Sequence, residues 1–279
     1  MDFIHQLNRL IGLYVSAIKS IFKTIIWLPF FLYAVLQLGV LTMCAFYVHP
    51  YIYPILSPLV AFFGDTRAEL FGHYPGLYLL LPLVYQWGKL ALGIIFEGLA
   101  TGLTVVLFAD YFGRHLPSRW RLSEAFRAWP QLFMGWLIIT GILFIINWYL
   151  PETAANMLRQ SPRRAALFDL GLRLVTVAVY SMFIYALPAL IVLRQNLFRA
   201  FATSFGYFFK YPLFSFFLAL IPYLISLPVS FLARNSEVIV TRFTPELIYY
   251  ILLIGIIIDM FINYLLTGAV TKFLIDAQE

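Results

Sequence analysis

The sequence RAFATSFGYFFKYPLFSFF, from Arg199 to Phe217, joins an aromatic and basic segment directly to a long apolar run. The run continues to Ala233, which is long enough to cross a bilayer, because a transmembrane helix needs about 20 apolar residues. Aromatic and basic side chains concentrate where a membrane meets water. The stretch therefore predicts an amphipathic helix in the membrane interface, followed by a transmembrane span at 211–233.

The composition of the whole chain extends this interpretation. Hydrophobic residues make up 62% of the 279 residues, charged residues make up 11%, and the mean hydropathy is +0.88. Soluble domains are about half apolar and about a quarter charged, so the excess apolar surface must face lipid. We expect an all-α integral membrane protein with about six transmembrane helices in a single membrane domain, residues 1–279, with no room for a second soluble domain.

Six apolar runs have the length that a span requires. The first is too long and too far from the start to be a cleavable secretory signal, so we interpret it as an uncleaved anchor. An amphipathic interfacial helix at 1–24 precedes it. The predicted spans lie near 25–48, 88–109, 131–150, 172–193, 211–233 and 247–273.

Three regions need individual interpretation. Residues 77–112 are longer than one span requires. We interpret them as a leading segment followed by the span near 88–109, with one long tilted helix as the alternative. The stretch IYPILSPLVAFF, residues 52–63, is too short to cross a bilayer and predicts an interfacial or re-entrant piece, followed by a loop. Pro188 is expected to kink the fourth span.

The N-terminal segment has an amphipathic pattern of its own. From Phe3 to Phe22 the apolar residues recur with the spacing of one helical face, and the opposite face is polar and basic. This pattern predicts a helix that lies in the membrane interface with its apolar stripe among the acyl chains. A cytoplasmic helix docked on the protein itself is the alternative.

The distribution of Lys and Arg predicts the orientation. With six spans, the connections on the N-terminal side carry more of these residues than the opposite loops, although Arg159, Arg163 and Arg164 follow the third span. Basic connections stay on the cytoplasmic side of a membrane. We therefore expect both termini to be cytoplasmic.

Two further segments share the pattern of the opening stretch: SAIKSIFKTIIWLPFF, from Ser16, and SEAFRAWPQLFMGWLII, from Ser123. We predict three hairpin repeats, each preceded by an amphipathic interfacial helix. Structural anchoring at headgroup level is the expected role of these helices, and a lipid-accessible groove lined by them is the alternative. The predicted anchoring residues are Arg127, Trp129, Arg199, Phe205, Tyr207 and Lys210.

The segment YALPALIVLRQNLFRAFATSFGYFFKYPLFSFFLALI, Tyr185 to Ile221, resembles a group of bacterial multi-pass membrane proteins. That group includes the membrane region fused to some glycerophosphodiester phosphodiesterases. The segment FADYFGRHLPSRWRLSEAFRAW, Phe108 to Trp129, is similar to the corresponding earlier part. The resemblance implies a six-helix domain of the bacterial cytoplasmic (inner) membrane. It implies no catalytic residue, because the phosphodiesterase chemistry of the fused proteins belongs to a separate soluble domain.

Polar side chains at membrane depth form the candidate intramembrane polar site. Lys89 and Glu97 lie in the second span, and Asp259 lies in the sixth with Asn263 one helical turn later. An uncompensated charge in this position costs at least about 2.5–3.5 kcal/mol on insertion. If the two spans touch, the residues could pair or protonate and stabilise the bundle. A proton or ion relay and a headgroup site are the functional alternatives.

A glycine pair lies beside this site. Gly98 and Gly102 follow Glu97 with the spacing of small residues that lets two membrane helices approach closely. We therefore expect close helix packing next to Glu97.

The motifs that carry common enzyme chemistry do not occur in the sequence. It has no HExxH helix, no phosphate-binding glycine loop, no dinucleotide fingerprint and no nucleophile elbow. His5, His49, His73 and His115 are isolated, and a single cysteine, Cys44, excludes a disulfide framework. We expect no catalytic residue, no metal site and no cofactor.

The net charge of +6 indicates a partner with negative charge. The basic residues are scattered at the ends of apolar runs, without the clusters of a nucleic-acid-binding protein. We expect the lipid bilayer as the partner and no nucleic acid. Bound phospholipid, a protein partner and a homo-oligomer are open alternatives.

These observations lead to an expected function. We expect a non-enzymatic protein of membrane or envelope organisation, lipid handling or partner docking. The alternative is a transporter or channel component in which Lys89, Glu97 and Asp259 line a path. An intramembrane enzyme acting on lipid would need two converging polar groups, and Glu97 with Asp259 is the one pairing that offers them.

Overall fold

The structure, a computed structural model, describes residues 3–113, 121–154 and 161–278, and every regular element in these ranges is helical. A short 3-10 turn, Ser20–Phe22, follows the first helix. In chain order the helices are α1 Phe3–Lys19, α2 Thr24–Ala45, α3 Tyr53–Ala61, α4 Asp65–Phe71, α5 Gly76–Tyr111, α6 Arg121–Arg127, α7 Trp129–Thr153, α8 Pro162–Phe183, α9 Ala186–Val192, α10 Leu197–Lys210, α11 Pro212–Arg234, α12 Ser236–Arg242 and α13 Leu247–Asp276.

Six helical stretches in the described ranges are long and apolar enough to cross a membrane. The prediction of an all-α, multi-pass integral membrane protein is therefore confirmed at the level of helix length and composition. The six stretches are Thr24–Ala45, Gly76–Tyr111, Trp129–Thr153, Arg163–Val192, Pro212–Arg234 and Leu247–Asp276.

The region 77–112 forms one helix, which is the alternative of the two sequence interpretations. α5 runs without interruption through 36 residues and contains Pro82. A proline removes one backbone hydrogen bond, but membrane helices tolerate this where neighbouring groups satisfy the freed carbonyl. No polar break separates Leu77 from the apolar residues that follow Pro82, so the sequence offers no end point for a shorter leading helix.

The fourth span is interrupted where Pro188 acts on the backbone. α8 ends at Phe183, five residues before Pro188, and α9 begins at Ala186, two residues before it. Proline has no N–H, so residue 188 cannot donate the regular helical hydrogen bond to the carbonyl of Ile184. The predicted kink is thus a break in the helix at Ile184 and Tyr185.

The connection between the first two spans contains two short helices. α3 has nine residues, which is too few to cross a bilayer, in agreement with the sequence interpretation. The predicted loop that follows contains α4. Gly64 precedes α4 with a φ of 94°, a left-handed conformation that favours glycine.

The chain divides into two compact units. Unit 1 comprises Met1–Pro29, Ile94–Tyr223 and Asn263–Glu279. Its core contains an aromatic group around Phe273, whose ring centroid lies 5.2 Å from that of Tyr185, 5.2 Å from that of Phe214 and 5.5 Å from that of Tyr207.

Unit 2 comprises Phe30–Gly93 and Leu224–Ile262. Its core joins residues of α2, α4, α5 and α13, among them Leu41, Phe71 and Ile248, which are fully buried. Ser236 Oγ donates a hydrogen bond of 3.2 Å to the carbonyl of Leu79 and ties the start of α12 to α5.

α1 is docked on unit 1 and also has an exposed apolar side. Leu10, Leu13 and Ala17 are buried, and Tyr14 Oη donates a 2.6 Å hydrogen bond to the carbonyl of Leu218 in α11. Burial raises the pKa of the Tyr14 phenol. On the neighbouring side of the helix, four large apolar residues are exposed: Leu7, Ile11, Val15 and Ile18.

Candidate functional site

The first polar pair joins α5 to α13 within unit 2. Lys89 Nζ forms an ion pair with Asp259 Oδ2, and the exposed fractions of the two side chains are 35% and 29%. The two charges offset each other, which lowers the energy that either would cost alone at membrane depth. Tyr85 lies one turn before Lys89 and is buried, and its hydroxyl has no hydrogen-bond partner among the described residues.

The second polar pair joins the same two helices within unit 1. Asn263 Nδ2 donates a hydrogen bond of 3.1 Å to Glu97 Oε1. Both side chains are half-buried. An amide donor satisfies a carboxylate lone pair but brings no opposite charge. This contact is therefore electrostatically different from the ion pair of Lys89 and Asp259.

The structure thus places the four predicted residues in two separate pairs. Lys89 and Asp259 belong to unit 2, whereas Glu97 and Asn263 belong to unit 1. That the four residues serve one function stays a prediction.

Glu97 and Asn263 line a cavity of about 30 Å³ in unit 1. Thr101 lies one turn after Glu97 on α5, Thr267 lies one turn after Asn263 on α13, and Tyr180 of α8 completes the polar part of the lining. A space that holds one probe sphere of about 10–15 Å³ is large enough for a water molecule. This cavity therefore has room for about two water-sized groups beside a carboxylate.

The predicted glycine pair brings α5 close to α7 next to this cavity. A Cβ atom on Gly98 would lie 2.8 Å from the carbonyl oxygen of Leu132 and 3.3 Å from Trp136 Cβ. Real Cβ atoms essentially never approach a backbone oxygen so closely, so glycine is required for this contact. The close approach places Trp136 in the cavity lining together with Glu97.

The end of α8 borders the same cavity. Phe183, the last residue of α8, and Ile184, at the helix break, both belong to the lining, as does Pro188. The carbonyl groups at the C-terminus of an α-helix carry partial negative charge. The break caused by Pro188 therefore adds a negative electrostatic contribution near Glu97.

Two of the predicted anchoring residues lie at the junction of α6 and α7. Arg127 is exposed. Trp129 is partly exposed, and its Nε1–H donates a 3.3 Å hydrogen bond to the carbonyl of Ile95. An ion pair of 2.7 Å between Glu124 and Arg194 ties α6 to the segment after α9.

The other predicted anchoring residues belong to α10 and divide between its two sides. Arg199 and Lys210 are exposed. Phe205 and Tyr207 pack inward, with ring centroids 5.3 Å from Phe183 and 5.6 Å from Tyr185, respectively. The large apolar residues that α10 exposes are instead Phe198 and Phe209, with exposed fractions of 85% and 70%. The anchoring role of the predicted set stays a prediction.

The remaining candidate metal ligands do not gather in the described part of the chain. Within residues 3–113, 121–154 and 161–278, no group of three or more His, Cys, Asp or Glu side chains could hold a metal ion. Cys44 is a buried free thiol of the unit 2 core. His115, Arg159 and the side chain of His5 lie outside what the structure describes.

The fold and the two polar pairs define the class of the molecule, a multi-pass, all-α integral membrane protein with paired polar side chains in its long helices. Comparisons with protein-family models, curated proteins and solved structures found no match to this chain. The resemblance to the membrane region fused to some glycerophosphodiester phosphodiesterases stays a prediction.

Three polar residues of the cavity were missed by the sequence interpretation: Thr101, Thr267 and Tyr180. The sequence does indicate the two threonines, because each follows a predicted site residue at the i+4 position of the same helix. Tyr180 had no such signal, since only the packing of α8 brings it to the cavity.

Proposed function

We propose that this protein is a non-enzymatic component of membrane organisation that seats basic, amphipathic helices among phospholipid headgroups of a bacterial cytoplasmic membrane. The observation that carries this proposal is the second apolar side of α1, which is exposed although the helix is docked on unit 1.

The exposed side of α1 has the layout of an interfacial helix. Leu7, Ile11, Val15 and Ile18 recur at the spacing of one helical stripe and are exposed. The exposed polar residues Asn8 and Lys19 flank them, so apolar and charged surface lie next to each other on one accessible side. A helix of this kind buries its apolar stripe at the boundary of headgroups and acyl chains.

The apolar stripe continues along the chain into the first span. Phe22, Ile25 and Leu28 are exposed, with Phe22 at 92%, and they lead into the lipid-facing surface expected for α2. Because the exposed apolar stripe of α1 continues into the surface of the first span, the lipid around that span would also cover the stripe. Lys19 and the exposed Lys23 lie at this junction, where anionic headgroups would be attracted.

We also propose that α1, α6 and α10 are equivalent elements of three hairpin repeats and that both termini are cytoplasmic. The order of elements supports the repeat, because each of these helices directly precedes a span. Exposed basic residues support the orientation, since Lys19, Arg127 and Lys210 belong to these helices. Docking of a protein partner or a second copy on these helices stays a prediction.

The depth of α1 can be measured with spin labels in lipid nanodiscs. A label at Val15→Cys should collide more often with oxygen, which concentrates in lipid, than with a water-soluble nickel chelate. A label at Ser16→Cys, on the polar side of the same helix, should show the reverse order. Cys44→Ala provides the background, and because Cys44 is buried in the unit 2 core it leaves α1 unchanged. Equal exposure of both labels to the nickel chelate would contradict an interfacial position.

The preference for anionic lipid can be measured by mass spectrometry of the lipids that the purified protein retains. Replacing Lys19 and Lys23 by Gln should lower the ratio of retained anionic to zwitterionic lipid several-fold, because each basic residue near an anionic surface contributes about 1 kcal/mol. Replacing the same two residues by Arg keeps the charge and should leave the ratio unchanged. An unchanged ratio in the Gln variant would remove the lipid part of the proposal.

A second candidate function is the transport or conduction of a small cation. It is favoured by the cavity beside Glu97 in unit 1. If it holds, Glu97→Gln and Asp259→Asn should abolish cation flux into proteoliposomes while insertion and purification stay normal. Normal flux in both variants would exclude these residues from a path.

A further inference from the structure

Five of the residues that line one small cavity carry oxygen atoms in their side chains. Glu97 supplies a carboxylate, Thr101 and Thr267 supply hydroxyls, Asn263 supplies an amide and Tyr180 supplies a phenol. The hydrogen bond from Asn263 Nδ2 uses one lone pair of Glu97, and a carboxylate has about four such positions. The cavity therefore has five oxygen-bearing side chains among its lining residues, around a space of about 30 Å³.

The surrounding electrostatics favour a cation. The lining residues in the described part of the chain include no lysine, arginine or histidine, so the cavity wall carries no positive side chain. The C-terminal end of α8 at Phe183 and the helix break at Ile184 add backbone carbonyls with partial negative charge. Interrupted membrane helices use such carbonyls and helix C-termini to coordinate sodium or protons.

We infer that this cavity binds a single sodium ion, held by Glu97, Thr101 and Thr267 with further oxygens from Asn263, Tyr180 and the end of α8. The inference concerns binding and does not require that the ion crosses the membrane. It goes beyond the proposed role of α1 at the lipid surface, which involves different residues, and it names a bound ion for the cavity of the second candidate function.

Size excludes organic ligands, and charge favours a monovalent cation such as sodium. A space of about 30 Å³ is too small for an organic molecule, whose sites are roughly 300–1,000 Å³. One carboxylate balances one positive charge, whereas a divalent ion would bring an uncompensated charge to membrane depth. Neutral oxygens with one carboxylate also differ from the nitrogen and sulfur ligands that transition metals prefer.

The direct test is equilibrium binding of radioactive sodium to the full chain in nanodiscs, in a sodium-free choline buffer at constant ionic strength. We expect saturable binding with one sodium ion per chain, together with a rise in the melting temperature when sodium replaces choline. Glu97→Gln removes the carboxylate charge and should weaken sodium binding at least about tenfold, by analogy with the loss of groups around a metal site.

Threonine substitutions keep the test decisive if Glu97→Gln fails to fold. Thr101→Val and Thr267→Val preserve shape and remove one hydroxyl each, and we expect each to weaken sodium binding several-fold. Thr104→Val is the matched control, because Thr104 lies on the same helix, is buried and is not part of the cavity lining. It should bind sodium as the wild type does.

Three outcomes would overturn the inference. The first is the absence of saturable sodium binding by the wild type at concentrations up to about 0.15 M. The second is binding that is unchanged in Glu97→Gln, or in both Thr101→Val and Thr267→Val. The third is calcium binding in preference to sodium, which contradicts the charge argument. Because lipid retention and spin-label depth depend on α1, they distinguish failure of this site from failure of the proposed function.

Discussion

The ion pair of unit 2 and the carboxylate–amide pair of unit 1 place polar groups at membrane depth in different ways. Lys89 and Asp259 offset each other's charge, so the pair is electrically complete without any ligand. Glu97 is hydrogen-bonded by Asn263 and borders a cavity with two threonine hydroxyls. The comparison shows that charged residues of one apolar helix can have different kinds of partner, an opposite charge for Lys89 and a neutral amide donor for Glu97.

The largest expected effect comes from breaking the ion pair. Asp259→Leu leaves the Lys89 ammonium without its carboxylate and should lower the free energy of unfolding by about 3 kcal/mol, at the lower end for buried pairs because a third of each side chain is exposed. Thermal unfolding in nanodiscs measures this loss. Lys89→Met combined with Asp259→Leu removes both charges and should recover most of it. A double variant as unstable as Asp259→Leu alone would contradict a structural role for the pair.

The packing that supports the other pair should respond to added volume. Gly98→Ala forces a Cβ against the carbonyl of Leu132 and should lower the free energy of unfolding by about 2 kcal/mol, the usual cost of overpacking. Gly141→Ala on α7 is the control, since a Cβ there meets nothing within 4 Å. Helix propensity should make Gly141→Ala neutral or stabilising by up to about 1 kcal/mol. Equal destabilisation by both substitutions would show that the contact with Leu132 does not determine the loss of unfolding free energy.

Removing the amide tests the hydrogen bond itself. Asn263→Ala deprives Glu97 of a donor at 3.1 Å and should cost about 1.5 kcal/mol, the lower range for a bond to a charged group, because both side chains are half-buried. Asn235→Ala is the comparison, because its amide donates an exposed, local hydrogen bond to the carbonyl of Phe231, and it should stay within about 0.5 kcal/mol of the wild type. If the two variants unfold at the same temperature, the Glu97–Asn263 bond contributes no stability.

A neutral hydrogen bond from α1 to the span α11 provides the smallest reference effect. Tyr14→Phe removes the bond to the carbonyl of Leu218 and should cost about 1 kcal/mol at neutral pH. Burial raises the pKa of Tyr14 above its ordinary value near 10, so the folded protein retains a proton that the unfolded chain releases. Unfolding free energy should therefore fall in the wild type as pH rises above about 10. In Tyr14→Phe this part of the fall should be missing, and parallel pH curves would contradict the assignment.

The sequence predicted the parts of the fold that depend on hydropathy along the chain. Six apolar runs gave six helices whose ends agree with the structure to within a few residues, apart from the second and fourth spans. The second span is longer because hydropathy alone cannot tell whether Pro82 ends a helix or is tolerated inside one. The fourth starts earlier because Arg163 and Arg164 do not prevent a helix from extending beyond its apolar part.

The candidate site was only partly visible in the sequence, because its completion depends on tertiary packing. Glu97 and Asn263 were identified as polar residues in spans, but their pairing required α5 and α13 to meet. Tyr180 reaches the cavity through the packing of α8. The amphipathic pattern of α10 likewise did not indicate which aromatic residues face the core. Phe205 and Tyr207 pack inward, whereas Phe198 and Phe209 are exposed.

The helix break before Pro188 implies an opposition between the thermal stability of the protein and its response to ions near the cavity. A continuous helix would satisfy the carbonyl of Ile184 with a backbone N–H, whereas proline at 188 leaves that group to other partners beside a polar cavity. Replacing Pro188 by a residue that has a backbone N–H should raise the thermal stability of the protein and weaken its response to the ions around it. Selection for thermal stability alone would then favour replacement of Pro188, since stabilising substitutions often reduce function near a functional site.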